Sequence, residues 1–155
     1  DGCSRILCLR NNSRMRMPAN KRTDAYHDVV EQAGLPALVR EVEFVKSDDE
    51  KSAVVAKILD ENPDTDGIFA GDDTMAAICL NVMKRRGLSA PDDIKVVGAD
   101  GARRTMTFMP DLTTVRQDID RIGELAAQSI IALVNGEKPE SNTKLPVELI
   151  EGKTA

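Results

Sequence analysis

The sequence predicts an α/β fold, a doubly wound parallel sheet with helices on both faces. Three observations carry that expectation. Short apolar runs alternate along the chain with amphipathic segments of helical period. Most of the helical segments are closed by glycine, with proline close behind two of them. Strand and helix alternate from one end to the other, the pattern of parallel strands joined by right-handed crossovers.

The elements follow in order. Residues 5–9 (RILCL) are a short apolar run suited to a strand buried on both faces. Residues 20–33 read as a helix closed by Gly34, with Pro36 just after. Residues 39–45 alternate as a strand. Ser47 and Glu50 then make a capping box for a helix with Ala53, Val54, Ile58 and Leu59 on one side. Pro63 lies beyond its end, and residues 67–70 form the next strand. Asp72 and Asp73 open a helix that ends in Lys84, Arg85, Arg86 and Gly87, acid first and base last, as the helix dipole favours. Residues 94–99 (IKVVGA) are another buried strand, and residues 113–115 (TTV) a short one. A long amphipathic helix over 119–134 precedes Gly136, and residues 145–150 make the last strand.

A chain of 155 residues with 41% hydrophobic residues can bury the core of one domain. Its net charge of −5 and pI near 5.0 argue against this chain gripping nucleic-acid phosphate or an anionic membrane by itself. No apolar run approaches the roughly 18 residues of a membrane span, and no signal-peptide pattern opens the chain. Cys3, Cys8 and Cys79 are read as buried thiols in a reducing cytoplasm, and the single His27 as a surface position on a helix. No metal set and no cofactor motif emerges.

In parallel sheets ligands bind outside the carboxyl ends of the strands. Arg10, Asn11, Asn12, Arg14 and Arg16 follow the first strand, and Gly71, Asp72 and Asp73 the third. Asp100 follows the fourth, and Gln117 and Asp118 follow the Thr-Thr-Val run. Carboxylates that accept from hydroxyls, beside guanidinium forks that donate, suit a polyhydroxylated small molecule. The parts of a catalyst are missing: no Ser or Cys nucleophile stands beside a base, and no His sits at a strand end. Each residue also has a plainer reading. Asp73 is the favoured cap of its helix, Asp72 is open between cap and ligand, Gln117 between ligand and cap of the helix that follows.

Four stretches in this order resemble the C-terminal half of LacI/GalR-family transcriptional regulators: DDTMA at 72–76, IKVVGAD at 94–100, PDLTTVRQD at 110–118, and LPV at 145–147 with Leu149. Arg22 with Tyr26 is similar to the family's Arg-x-x-Gly-aromatic motif. The resemblance implies the C-terminal lobe of a two-lobed, periplasmic-binding-protein-like effector domain. A helix-turn-helix and most of the other lobe are then expected before Asp1. By the same resemblance, residues 1–118 belong to the C-terminal lobe, 119–142 to a helix of the other lobe, and 143–155 to a strand that returns.

The resemblance further implies that Arg16, Arg22, Asp72, Asp100 and Gln117 contact a sugar or related effector. It also implies a cytoplasmic homodimer that meets operator DNA only through the preceding domain, with no membrane partner. Ile78, Val82, Met106 and Met109 are the apolar residues expected at the dimer contact. The sequence departs from the family pattern at Ala25, Asp72, Ala99 and Gly101, where Gly, Asn, an aromatic and Asp are common. Two readings from other classes stand beside this one. A phosphoacceptor receiver needs its acid pair after the first strand, where this chain has Arg and Asn. A sugar-binding protein of a transport system shares the fold and calls for a secretory signal.

Overall fold

The computed structural model describes residues 2–12, 19–43, 46–139 and 142–155. Strand β1 (Ile6–Asn12) lies between β2 (Leu38–Glu43) and β3 (Gly67–Ala70). The sheet continues through β4 (Lys95–Asp100) and β5 (Thr113–Gln117) to β6 (Val147–Ile150), in the order β2-β1-β3-β4-β5-β6. Every neighbouring pair is parallel except β5 with β6.

The doubly wound parallel sheet is as expected, with that last pair as its one antiparallel addition. Helix α5 (Ile119–Val134) starts where β5 ends, and Val147 of β6 is the register partner of Gln117. The chain therefore leaves the sheet and re-enters it at the same edge. A strand entered from that edge runs backwards relative to its neighbour.

Helices cover both faces, as expected. On one, α1 (Ala19–Gln32) packs Tyr26 and Val30 against Cys8, with Ile6, Val39 and Phe69 around them. The Tyr26 hydroxyl donates to the Ile6 carbonyl at 2.6 Å and accepts the Leu38 amide at 2.9 Å, which ties the first two strands to the helix. On the other face, α2 (Asp48–Glu61) and α3 (Asp73–Arg85) pack Val55, Ile58, Leu59, Met75 and Met83 onto Leu7, Leu9, Ile68 and Val96. Side chains alternate across a strand. This is why Leu7 and Leu9 face one layer while Cys8 faces the other, all 1% exposed or less.

Local signals fold as read. The Ser47–Glu50 capping box is present in both directions. Gly34 takes φ +67°, which lets the Leu35 amide return to the Val30 carbonyl at 2.8 Å and ends α1. The α2 face is rotated slightly from expectation, for Val55 is buried and Ala53 exposed. Cys8 and Cys79 are buried, their thiols pushed up to about 11 and about 12 by burial, while Cys3 is only half-buried. His27 is exposed on α1.

The apolar dimer patch expected on α3 is corrected. Ile78 and Val82 are 5% and 4% exposed and belong to the core, because α3 lies over the middle of the sheet with α2 alongside it. Met106, on the short helix α4 (Arg103–Phe108), and Met109 just after it are half-buried, and Met109 packs on the core. Phe108 beside them is 76% exposed, and most of the remaining exposed apolar surface lies on α5 and β6. None of the 16 residues of α5 is buried. No helix among the described residues is long and apolar enough to cross a membrane.

Candidate functional site

The carboxyl edge of the sheet brings three of the expected residues together, two of them on the carboxylate of the third. Arg22, on the second turn of α1, reaches over the edge with both ends of its fork. Its Nη1 donates to the Gly71 carbonyl at 2.6 Å and its Nη2 to Asp100 Oδ1 at 2.6 Å. Gln117, the last residue of β5, donates through Nε2 to the same Oδ1 at 2.8 Å. Both bonds land on one oxygen, so Oδ2 takes part in neither. The Asp100 side chain is 37% exposed and that of Arg22 28%, so the cluster is open to solvent and preset.

Asp100 holds this place in a backbone conformation that few non-glycine residues adopt, with φ +116°. Such outliers cost about 1–3 kcal/mol and gather at functional sites. Gly101 follows at φ +58°, and a Cβ there would lie 2.6 Å from the Arg116 Cα. The turn after β4 therefore admits only glycine at 101, where the family pattern commonly carries Asp.

Asp72 takes the cap, one of the two readings open to it, and Asp73, the favoured cap, does not. Asp72 caps α3, its Oδ1 accepting the Met75 amide at 2.7 Å, and its Oδ2 accepts from the Asn11 side chain. Asp73 is 3% exposed and takes no part in the cap. Its Oδ2 accepts the Gly101 amide at 2.9 Å and its Oδ1 the Thr114 hydroxyl at 2.5 Å. Burial pushes the Asp73 carboxyl above its ordinary range, with the nearby Asp100 charge adding to the rise, while the Thr114 and Gly101 bonds oppose it.

The other strand-end residues divide. Arg10 and Asn12 turn away to Glu41 on β2, Asn12 Nδ2 lying 2.7 Å from Glu41 Oε2. Asp118 caps α5 by accepting the Arg121 amide at 3.0 Å, which leaves Gln117 free to face Asp100. Arg14 and Arg16 lie outside the described residues. Sequence reading missed the partners of Asp73. Glycine inside the 94–99 strand signals a close approach, but threonine is ordinary in strands, and only the register that pairs the two reveals the contact.

An apolar trough of about 520 Å³ runs from Arg22 and Gln117 down the α1 side of the sheet, over Phe69, Ala99 and Val115. A second hollow of about 770 Å³ lies between α4, the start of α5 and β6, lined by Met106, Arg116 and Pro146 among others. It does not include Arg22, Asp100 or Gln117 in its lining. Among the described residues no group of three or more His, Cys, Asp or Glu side chains is placed to hold a metal ion.

The periplasmic binding protein-like domain family matches residues 1–155, the whole chain. The ribose operon repressor of Halalkalibacterium halodurans is 31% identical over 99% of this chain and 46% of its own length. The sucrose operon repressor of Pediococcus pentosaceus is 30% identical over 99% of this chain and 48% of its own length. The chain thus spans about half the length of the curated relatives it matches. Among solved structures, a LacI-family regulator from Arthrobacter sp. FB24 in complex with lactose superposes with TM-score 0.81 at 26% identity, over 97% of this chain and 56% of that one. The Lac repressor bound to ONPG shares the fold, with TM-score 0.83 at 24% identity over 99% of this chain and 46% of that one. The likeness to LacI/GalR regulators read from the sequence is borne out, and these relatives are transcriptional repressors rather than enzymes.

Proposed function

Because the chain belongs to the periplasmic binding protein-like domain family, we propose that it is the effector-sensing lobe of a sugar-responsive, DNA-binding regulator. The observation that carries this reading is the convergence of Arg22 and Gln117 on Asp100 at the carboxyl edge of the sheet. A carboxylate with one oxygen engaged and the other open accepts from a sugar hydroxyl, and the Arg22 fork donates beside it. The apolar trough next to them offers a surface for the carbon face of a ring.

In this reading residues 1–118 and 143–155 form one lobe and 119–142 contribute a helix to a second lobe, with the ligand between them. The reversal of β6 supports it, since the chain departs and returns at one edge. So does the absence of any buried residue on α5. Operator binding falls to a helix-turn-helix outside this acidic chain, and the protein works in the cytoplasm as a homodimer. With Ile78 and Val82 in the core, Met106 and Met109 of the α4 region are the apolar residues left to the dimer contact.

Asp72 keeps a lesser part, since its two oxygens serve Met75 and Asn11. The test is calorimetric titration of the intact protein with ribose, sucrose and lactose. Whichever sugar binds should lose about 1.5–3 kcal/mol of affinity in Asp100→Ala, the worth of a charge-assisted hydrogen bond. Arg22→Ala should lose a similar amount. Unchanged affinity in Asp100→Ala would remove that residue from the site.

A further inference from the structure

We propose that Asp73 is a positioning residue for the ligand acceptor, one buried carboxylate that clamps the Asp100–Gly101 turn to strand β5 and so aligns Asp100 with Arg22 and Gln117 before ligand arrives. The proposal deepens the reading of Asp100 as the sugar acceptor and rests on it.

A buried carboxylate requires an explanation, because taking its charge out of water is costly unless hydrogen bonds replace the solvent. Capping does not explain it, for Asp72 already caps α3. What the carboxylate touches does. Its Oδ2 accepts the amide of Gly101, the peptide that immediately follows the strained Asp100. That peptide plane decides where the Asp100 side chain points, and φ +116° is a conformation the turn would otherwise leave. Its Oδ1 accepts from Thr114, which is fully buried in β5 three residues before Gln117. Asp100 and Gln117 thus each hang from backbone that the same side chain anchors.

The surrounding sequence makes room for this clamp. Gly98 is the register partner of Thr114, and a Cβ on it would lie 2.6 Å from Asp73 Oδ1. An apolar residue at 73 would fill the space and leave a buried amide and hydroxyl without an acceptor.

The experiment is ligand-free NMR on the intact protein that carries this chain. The readouts are the Gly101 amide exchange rate and the side-chain N–H signals of Arg22 and Gln117. In Asp73→Ala the Gly101 amide should exchange about tenfold faster, the factor one hydrogen bond is worth. The Arg22 and Gln117 signals should move toward those of unpaired side chains. Thr114→Val should shift the same signals in the same direction, and Thr114→Ser should restore them. Thr114→Val decides the matter if Asp73→Ala does not fold. A destabilising core variant remote from the turn, Val55→Ala, should lower the melting temperature and leave Arg22 and Gln117 where they are.

If Thr114→Val leaves the Arg22 and Gln117 signals at their wild-type positions, or Val55→Ala moves them as far, the positioning role is overturned. The acceptor reading fails by a different measurement, unchanged sugar affinity in Asp100→Ala, so the two failures are told apart.

Discussion

Two carboxylates side by side at the start of α3 have opposite surroundings, and their chemistry follows. Asp72 faces the edge and satisfies a helix amide; Asp73 faces inward and is cut off from water. In the sequence they are interchangeable, since either can cap a helix, and the difference lies in which one the strand aims at Gly98. Burial makes Asp73 hold its proton more tightly in the folded protein than in the unfolded chain, where 3.8 is ordinary. Its contribution to stability is therefore complete below the unfolded value and is lost as pH rises through the folded one. Asp66 slopes the other way: although burial opposes it, bonds from Ser4 and Arg5 hold its carboxyl below the ordinary value. Comparing wild type with Asp73→Asn cancels that shared contribution. The wild type's stability relative to the variant should fall as pH rises from the unfolded value through the raised folded one and then level off. Urea unfolding at stepped pH measures it, and a difference independent of pH would contradict the burial of the charge.

Among the elements, those with strong local signals were legible. The capping box of α2 and the glycine that ends α1 act within one helical turn, so sequence alone carries them. What depends on distant partners was not legible. Ile78 and Val82 lie on an amphipathic helix whose sequence does not say how many flanks will be covered, and α2 covers the second. The end of the chain is another case. Residues after β6 carry no strand pattern, yet the Thr154 hydroxyl donates to the Val96 carbonyl at 2.7 Å and accepts the Thr113 amide at 3.0 Å. The Val96 amide in turn donates to the Thr154 carbonyl at 2.6 Å. This tail stitches β4 to β5 below the site. Thr154→Val keeps the shape and removes both side-chain bonds, leaving the buried Thr113 amide unpaired. It should cost about 1–3 kcal/mol in chemical denaturation. A loss within experimental error would show that water replaces the hydroxyl.

For the molecule as a whole, α5 sets the behaviour of residues 1–155 in isolation. Ile130, Ile131, Leu133 and Val134 are each more than 60% exposed, and Val147 and Leu149 of β6 add to the uncovered surface. Covering each large apolar side chain is worth about 1.5–3 kcal/mol, so these faces drive association where no second lobe covers them. Sedimentation of this chain alone at micromolar concentration should show self-association, and a monomer independent of concentration would contradict it. The paired positions Gln117 and Val147 carry a further consequence. Two residues facing each other across antiparallel strands are the distance that a two-residue Asn-Gly turn closes. The 29 residues between them form an insertion in a sheet complete without it, and can be cut out and replaced by that turn. The shortened chain should melt cooperatively, a self-contained scaffold that still presents Arg22 and Asp100 on its rim.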